Sequence, residues 1–534
     1  MNLKNLSQIE KNATHNSHPD FTRLGAALLF MLAVLVYATV HAGGLGTQFA
    51  AMQLVMAALI GAYMAMNIGA NDVANNMGPT VGSKALTMAG AIVIAATFEM
   101  LGAVIAGGEV VDTIKSGIID PSILSDTQIF IAVMMSALLA GALWLNLATV
   151  VGAPVSTTHS IVGAVVGAGL AAGGLEVVHW QKLGEIVLSW VASPLLGGVL
   201  AAALLYTIKR TITYRSQMTK AAAQVVPLLV AFMAWAFGCY MLIKGLGKSF
   251  SLPLHEAAAY ALVLGAVVYL IARYAVGRTT QRAENTKEAV NALFGLPLVC
   301  AAALLSFAHG ANDVANAIGP LAAINEALTN VEVAAQTQIP LWIMLVGALG
   351  LAVGLALYGP KLIKTVGSEI TDLDKMRAYC IAMSAALTVI LASQLGLPVS
   401  TTHVAIGAVF GVGFLREFLK SSHAKMIDLI IEAHEGEDRS RMEAYLARFN
   451  AASLSKKALM LSAMKKKAEQ KKAKKAKANP HFSKKERKVL QKAYEKELVK
   501  RSAVSKIIAA WVITVPATAL LSAALFMLSQ LLFG

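Results

Sequence analysis

The sequence predicts an all-α polytopic membrane protein made of two inverted-topology repeats, with broken helices or re-entrant hairpins that meet near the membrane midplane. Three observations support this fold class. Of the 534 residues, 57% are hydrophobic and only 14% are charged, whereas a soluble domain carries about 25% charged residues. Long apolar runs recur along the chain, and two short motifs each occur twice. The composition excludes a soluble globular enzyme, a disordered chain and a disulfide scaffold.

Apolar runs long enough to cross a bilayer, which takes about 20 helical residues, predict nine spans at 22–41, 47–76, 86–107, 183–208, 222–243, 255–276, 289–318, 338–358 and 505–533. Two further apolar stretches, 126–170 and 376–416, are interrupted by Gly152-Ala153-Pro154 and Gly396-Leu397-Pro398. Each is either a re-entrant hairpin or two full spans. Both versions return the chain to its starting side, so the predicted topology is the same. The first run follows a polar lead that is long for a signal peptide, so we interpret it as a retained span.

The distribution of Lys and Arg predicts the orientation of the chain. Basic residues concentrate in the loops 209–221, 273–288 and 359–378 and in the segment 417–504, which the span count places on one side. Because cytoplasmic loops carry the excess of positive charge, this side should be cytoplasmic, with the protein in the cytoplasmic (inner) membrane. The predicted domains are a polar cytoplasmic N-terminus (1–21), a first span and loop (22–46), repeat A (47–208), linking spans and loops (209–288), repeat B (289–416) and the last span (505–534), which completes repeat B.

The segment 417–504 carries most of the net charge of the protein. It holds 23 Lys and Arg and 11 Asp and Glu, an excess of 12 out of a net charge of +15. Its Ala, Lys, Glu and Leu content favours helix, so we expect a basic helical cytoplasmic insert. It is either a solvated arm or a contact for anionic lipid headgroups. Since the rest of the chain is nearly balanced in charge, we expect no nucleic-acid partner.

Two motifs show that the chain contains an internal duplication. The first is Gly69-Ala70-Asn71-Asp72-Val73-Ala74-Asn75, which returns as Gly310–Asn316; the second is Pro154-Val155-Ser156-Thr157-Thr158-His159, which returns as Pro398–His403. The offsets of 241 and 244 residues keep the same order and spacing, as expected of a duplication. According to the span count, the two copies cross the membrane in opposite directions. Inverted repeats with broken helices are typical of transporters, with the site at the repeat interface.

The first motif predicts a cation site. Asp72 and Asp313 lie in apolar spans, where an isolated carboxylate costs roughly 2.5–3.5 kcal/mol, so we expect each to have a partner. Together with Asn71 and Asn312 they form an oxygen-rich, sulfur-free set. Such a set suits a hard cation, with Na⁺ as the candidate metal at the two aspartates, or a titrating proton site. The structural alternative is that these residues cap or pin helices.

The second motif predicts an anion site. Proline allows a helix to begin directly after it, which places Ser156, Thr157 and Thr158 in a first turn with free backbone amides. Helix N-termini bind anions, and the second terminus, formed by Ser400, Thr401 and Thr402, could converge on the same tetrahedral oxyanion. We assign Asn75 and Asn316 to this substrate site; the alternative is helix capping without a ligand. Cation groups beside anion groups predict coupled symport, because a bound cation offsets the charge of the anion.

Three further ionisable residues are candidates without a defined role. His159 and His403 each either bind the anion, titrate as a coupling proton site or brace their hairpin. Glu99 is an intramembrane carboxylate with no counterpart in 338–358 and no evident partner. It is a functional candidate because such residues are costly to bury.

At these motifs the chain resembles the inorganic phosphate transporter (PiT) family of sodium- or proton-coupled phosphate permeases. The stretches Phe98–Ala103, Gly359–Lys361 and Glu369–Asp372 support the likeness, which covers about 47–416 and 505–533. The resemblance implies uptake of inorganic phosphate, or of a metal–phosphate complex, by alternating access in a homodimer. It implies Na⁺ or H⁺ as the coupling ion, no cofactor, and a contribution of both motif pairs to the sites.

Other functions are less well supported by the residues. A sulfate or thiosulfate symporter of the same family would share these motifs. A passive anion channel would not need paired acidic and amide groups. An intramembrane hydrolase could use Ser156 or Ser400 with the following histidine, but no third member and no Gly-x-Ser-x-Gly elbow accompanies them. We therefore expect a transporter and not an enzyme.

Overall fold

The computed structural model describes residues 3–124, 126–151, 155–244, 252–329, 339–369, 373–432 and 501–533. Most of the predicted basic insert, residues 433–500, and the break at 152–154 lie outside the described residues. Among the described residues, the first half holds nine α-helices: α1 Leu3–Ala42, α2 Gln48–Gly82, α3 Met88–Ala106, α4 Gly108–Ser116, α5 Thr127–Val151, α6 Thr157–Gly173, α7 Trp180–Ile208, α8 Met218–Lys244 and α9 Leu254–Gln281. The described part of the second half holds six α-helices: α10 Lys287–Leu293, α11 Gly295–Thr329, α12 Leu341–Glu369, α13 Lys375–Gln394, α14 Thr401–Glu432 and α15 Arg501–Phe533.

The described part of the chain is helical, with an isolated bridge between Ile119 and Val178 and no strand. Twelve of its helices are long and apolar enough to cross a membrane, while α6, with 17 residues, is a shorter apolar helix. The predicted all-α polytopic class is therefore confirmed. Whether α5–α6 and α13–α14 are re-entrant hairpins or full spans stays a prediction, as does the inverted orientation of the repeats. The terms first hairpin, for α5–α6, and second hairpin, for α13–α14 with the segment 395–400 between them, name these helix pairs and do not imply how far they cross the membrane.

Several helices extend past the apolar runs that predict them. The helix α2 continues to Gly82, α11 to Thr329 and α12 to Glu369. In α2 the added residues Gly78, Pro79 and Thr80 are buried against protein. These helices thus continue beyond the apolar runs, because their ends pack against protein and not against lipid. A search for apolar runs does not detect such ends.

In each repeat, the helix that carries the first motif packs against a helix of the other repeat. The helix α2 packs against α12 and α11 packs against α3. A Cβ atom on Gly69 would collide with the Leu351 carbonyl, and one on Gly310 would collide with the Glu99 carbonyl. Glycine at each motif therefore allows backbone-to-backbone contact, and Leu351 in α12 is the packing equivalent of Glu99 in α3.

A second reciprocal exchange involves the helices that begin at the second motif. The helix α6 packs against α15, and α14 packs against α7. Gly167 lies against the backbone of Ala519, and Gly411 lies against the backbone of Gly198. The helix α6 of repeat A thus packs against the helix that follows α14, and α14 of repeat B packs against the helix that follows α6. The four motifs lie at the centre of this arrangement.

The helices α8 and α9 form a peripheral pair. Ala257, Ala261 and Gly265 are the contact points of α9, and the last of these packs against Ala231 and Trp235 of α8. Most other apolar side chains of α9 are exposed. A helix that is apolar all round suits a lipid environment, so this pair supports the bundle from outside the motif region.

Candidate functional site

The residues of the Asn-Asp motifs lie in continuous helices that are buried in the centre of the bundle. Asp72, on α2, and Asp313, on α11, have no exposed surface. Pro79 and Pro320 lie inside these helices. Since proline has no amide hydrogen, neither can donate to the carbonyl four residues earlier, which belongs to Asn75 or Asn316. Each motif therefore places a carboxylate one turn from a backbone carbonyl that lacks its usual helical donor.

A buried histidine stands between the acidic groups. The Nε2 atom of His309 is 3.0 Å from Oδ2 of Asp313 and 3.8 Å from Oδ2 of Asp72, and its Nδ1 atom is 3.2 Å from Oε1 of Glu99. All four side chains are fully buried. Asn76 donates from Nδ2 to the same Glu99 oxygen at 2.8 Å. This network supplies the partner that Glu99 lacked in the sequence.

The cluster has the composition of a cation site. One ligand atom from each of Asp72, His309 and Asp313 lies within 4.8 Å of the others. Among the described residues, Asp72 Oδ2, Asp313 Oδ1 and Glu99 Oε2 accept no hydrogen bond. Buried carboxylate oxygens normally have a partner, so three such atoms in one cluster favour a bound cation or proton. The cation-binding role of the two aspartates stays a prediction.

Both Pro-Val-Ser-Thr-Thr-His motifs start a helix, as their local sequence predicts. The Ser156 hydroxyl accepts from the His159 amide at 3.1 Å, and the Ser400 hydroxyl accepts from the His403 amide at 3.2 Å. Each serine is therefore an N-cap. The next two amides of each helix have no acceptor within the helix. Two first turns with such amides, at Thr157 and Thr401, are thus available to an anion.

The threonines of these first turns contact the Asn-Asp motifs directly. Thr401 Oγ1 donates to Asp313 at 2.7 Å, and Thr402 Oγ1 donates to Asp72 at 2.9 Å. Asn75 Nδ2 donates to Thr402 at 2.9 Å. The structure therefore joins the predicted anion and cation residues through single hydrogen bonds.

The first hairpin makes a different set of contacts. Asn316 Nδ2 lies 3.3 Å from the Thr157 hydroxyl and 3.2 Å from the Thr158 hydroxyl. Thr158 in turn donates to the Val399 carbonyl at 3.0 Å. The asparagines are used symmetrically by the two halves, since Asn75 and Asn316 each reach the opposite hairpin. The aspartates are used asymmetrically, because both accept hydrogen bonds from threonines of the second hairpin.

Asn71 and Asn312 bind the helices α5 and α13, which end just before the Gly-x-Pro breaks of the two hairpins. Asn71 Nδ2 is 3.4 Å from the Thr149 hydroxyl, and Asn312 Nδ2 donates to the Ser393 hydroxyl at 2.9 Å. The Oδ1 atom of Asn312 accepts from the Val399 amide at 3.3 Å. In this conformation both ends of the Asn312 amide therefore bind the second hairpin. Their predicted role as cation ligands stays a prediction.

The two motif histidines contact each other. The rings of His159 and His403 are perpendicular, with centroids 4.5 Å apart, and the ring of Trp190 lies 3.8 Å from that of His159. This contact joins the two hairpins across the centre of the molecule. It is the arrangement expected of the bracing alternative, although titration and anion binding stay predictions.

Sequence reasoning missed His309, Asn76 and Trp190. A comparison of the repeats overlooks the first two, because their equivalents are Ile68 and Ala317. The signal was available in the form of an ionisable residue inside an apolar run, the criterion that identified Glu99. Trp190 carries no such signal, since an aromatic residue in a span is ordinary.

Comparisons with known proteins identify the group to which the chain is related. The profile of the "Phosphate transporter family" matches residues 68–522. A provisionally named phosphate permease of Helicobacter pylori is 51% identical over 98% of both chains. Another of Pyrococcus abyssi is 39% identical over 71% of this chain and 93% of its own. A solved structure titled "The sodium-dependent phosphate transporter" is 30% identical and covers 90% of this chain and 100% of its own, with a TM-score of 0.72.

These findings confirm the resemblance drawn from the four motifs, and the matched region includes all of them. The family is one of transporters, so the hydrolase alternative is set aside. The described residues include twelve helices long and apolar enough to span a membrane, and the duplicated motifs lie buried among them. With a family profile that matches most of its length and a relative of 51% identity, the chain belongs to the phosphate transporter family.

Proposed function

We propose that the protein takes up inorganic phosphate as a symporter driven by a cation gradient, through alternating access. The observation that carries the proposal is the pair of hydrogen bonds from Thr401 to Asp313 and from Thr402 to Asp72. Each threonine lies in a helix first turn that suits an anion, and each aspartate lies in a cluster that suits a cation. A change at one site therefore alters the hydrogen bonding of the other.

The phosphate site consists of the first turns of α6 and α14. Their free amides and the partial positive charge of each helix N-terminus attract an anion. The hydroxyls of Thr157, Thr158, Thr401 and Thr402 add donors that can rotate toward phosphate oxygens. Neither motif holds a Lys or Arg, so neutralisation of phosphate must come from the coupling cation. This dependence is the physical basis of symport.

The coupling site is the cluster of Asp72, Asp313, His309 and Glu99. For Na⁺, the ligands would be the carboxylates with the carbonyls of Asn75 and Asn316, since hard cations prefer oxygen. For H⁺, the histidine and carboxylates would share the proton. The sodium-dependent structural neighbour favours Na⁺, and the histidine among the carboxylates is the argument for H⁺. The gradient experiment below decides between them.

The unequal use of the two hairpins supports alternating access. In this conformation both aspartates accept from the second hairpin, while Thr157 and Thr158 bind Asn316. The duplicated motifs allow the converse arrangement, in which both aspartates accept hydrogen bonds from threonines of the first hairpin. We propose that these two arrangements open the site to opposite sides, as the predicted inversion of the repeats requires. The homodimer, the cytoplasmic membrane and the cytoplasmic side of 417–504 are retained as parts of this proposal.

Uptake of radiolabelled phosphate into proteoliposomes tests the proposal. An inward Na⁺ gradient and an inward H⁺ gradient are imposed separately, with liposomes lacking protein as the control. We expect one gradient to drive accumulation above equilibrium, which names the coupling ion. Equilibration without accumulation under both gradients would identify a passive channel and overturn the proposal.

Sulfate and thiosulfate are the competing substrates. Excess unlabelled sulfate is added in the same assay, and unlabelled phosphate at the same concentration serves as the positive control. We expect phosphate alone to abolish labelled uptake. Inhibition by sulfate at a concentration similar to that needed for phosphate would assign the protein to sulfate transport instead. Stimulation by Mg²⁺ would indicate that a metal–phosphate complex is the transported species.

A further inference from the structure

The break before α14 is held by side chains from four different helices. Four successive carbonyls of this strap, residues 396–399, each accept one side-chain hydrogen bond. The donors are Thr113 of α4 to Gly396 (2.7 Å), Asn312 of α11 to Leu397 (3.2 Å), Trp190 of α7 to Pro398 (3.1 Å) and Thr158 of α6 to Val399 (3.0 Å). A non-helical segment has no helical partners for its carbonyls, and carbonyls that are buried or partly buried require donors. These bonds therefore hold in place the segment that leads into α14.

Trp190 differs from the other three donors because it contacts both hairpins through separate parts of one ring system. Its Nε1 atom donates to Pro398, two residues before the cap of α14. Its ring packs on His159, in the first turn of α6, with centroids 3.8 Å apart and planes inclined by 35°. The residue Trp190 is only 8% exposed. A rigid buried side chain thus spans the distance between the two helix starts.

The packing register shows that this tryptophan position is duplicated. Gly407 lies against Pro194 of α7, and Gly163 lies against Val515 of α15. Four residues earlier in each helix stands a tryptophan, Trp190 in α7 and Trp511 in α15. The duplication therefore keeps the same residue type at equivalent positions of α7 and α15.

We infer that Trp190 is a positioning residue that holds the first turns of α6 and α14 at the separation needed to bind one phosphate between them. The inference rests on the proposed function. Removal of the indole N–H frees the Pro398 carbonyl and lets the start of α14 shift relative to α6. Since two helix termini must face the same anion, such a shift lowers phosphate affinity without removing any group that touches phosphate.

The test is direct binding of radiolabelled phosphate to the purified full-length protein, with thermal unfolding and uptake kinetics measured on the same samples. Trp190→Phe keeps an aromatic ring beside His159 and removes the N–H. Trp235→Phe is the matched control, because its Nε1 atom also donates to a backbone carbonyl, that of Ala258 at 3.0 Å, between α8 and α9. The loss of one buried hydrogen bond corresponds to a roughly threefold to tenfold change in an equilibrium constant.

We expect Trp190→Phe to raise the phosphate Kd and the KM for uptake by about threefold to tenfold, with a smaller change in maximal rate. Trp235→Phe should leave Kd within twofold of wild type. A Kd for Trp190→Phe within twofold of wild type would overturn the inference. An equal loss of affinity in both variants would also overturn it, since the effect would then be one of general stability.

A second variant keeps the inference open to test if Trp190→Phe does not fold. Trp190→Leu keeps a large apolar side chain at this position and has no hydrogen-bond donor for Pro398. Unchanged phosphate affinity in folded Trp190→Leu would overturn the inference. Failure of the proposed function gives a different result, because the wild-type protein would then bind no labelled phosphate in the same assay.

Discussion

Asp313→Asn provides the sharpest test of the coupling site. The substitution keeps the volume of the side chain and an oxygen that can accept from Thr401, which lies 2.7 Å from the carboxylate in the wild type. It removes one negative charge from a cluster in which His309 lies 3.0 Å away. Any cation shared by the cluster loses one of its closest anionic ligands.

The size of the effect follows from the spacing of the cluster. The ligand atoms of Asp72, His309 and Asp313 lie within 4.8 Å of one another, and a unit charge about 4 Å from a carboxylate gains about 4 kcal/mol at an effective dielectric constant of 20. Desolvation offsets part of this gain. Interactions with charged groups contribute a net of about 1.5–3 kcal/mol, so the half-saturating cation concentration should rise roughly 10- to 150-fold.

The assay is phosphate uptake into proteoliposomes at fixed phosphate and varied concentration of the coupling cation. Asp120→Asn is the control, because it makes the same chemical change at a residue whose carboxylate binds Ser122 outside the spans. We expect normal cation dependence in the control and a large rise, or loss of uptake, in Asp313→Asn. A half-saturating concentration within threefold of wild type, in folded protein, would refute the assignment of Asp313 to the cation site.

Two predictions concern stability, measured as the melting temperature of the purified protein in detergent. Gly310→Ala places a methyl group against the backbone carbonyl of Glu99 and should lower the free energy of unfolding by about 1–3 kcal/mol or more. Gly184→Ala is the control in α7, where a methyl group meets nothing within 4 Å, and it should leave the melting temperature unchanged or raise it slightly. Equal melting of both variants would contradict the close crossing. Lys115→Met leaves the buried carboxylate of Glu326, 2.8 Å from the lysine nitrogen, without its cation and should cost about 3–5 kcal/mol. The double variant with Glu326→Leu should recover most of that loss, and a double variant as unstable as the single one would show that the ion pair is not the cause.

The starts of the hairpin helices could be predicted because their causes are local. A proline followed by a serine and two threonines contains both the break and the cap, so Ser156 and Ser400 begin helices as the motif predicts. The aspartates could be chosen as candidates for a similar reason, since a carboxylate in an apolar run needs a partner wherever it lies. Neither inference required knowledge of which helices touch.

The partners of these groups could not be predicted, because they depend on how distant helices cross. Glu99 meets His309 because α3 crosses α11 at Gly310, and the two residues are far apart in the chain. Comparison of the repeats could not reveal this contact, since the equivalent positions hold Leu351 and Ile68. The charged contact between α3 and α11 therefore has no counterpart at the equivalent crossing of α2 with α12.

The sequence by itself determined the helical membrane class, the duplication, the family and the residues that start the two hairpin helices, because composition and short-range capping act within a few turns of helix. Tertiary structure decided which threonine donates to which aspartate and which helix packs against each motif glycine. It also decided the position of Trp190 between the two hairpins. These contacts join residues from helices that are exchanged between the repeats. Their geometry is set by close backbone packing, which no local pattern in the chain encodes.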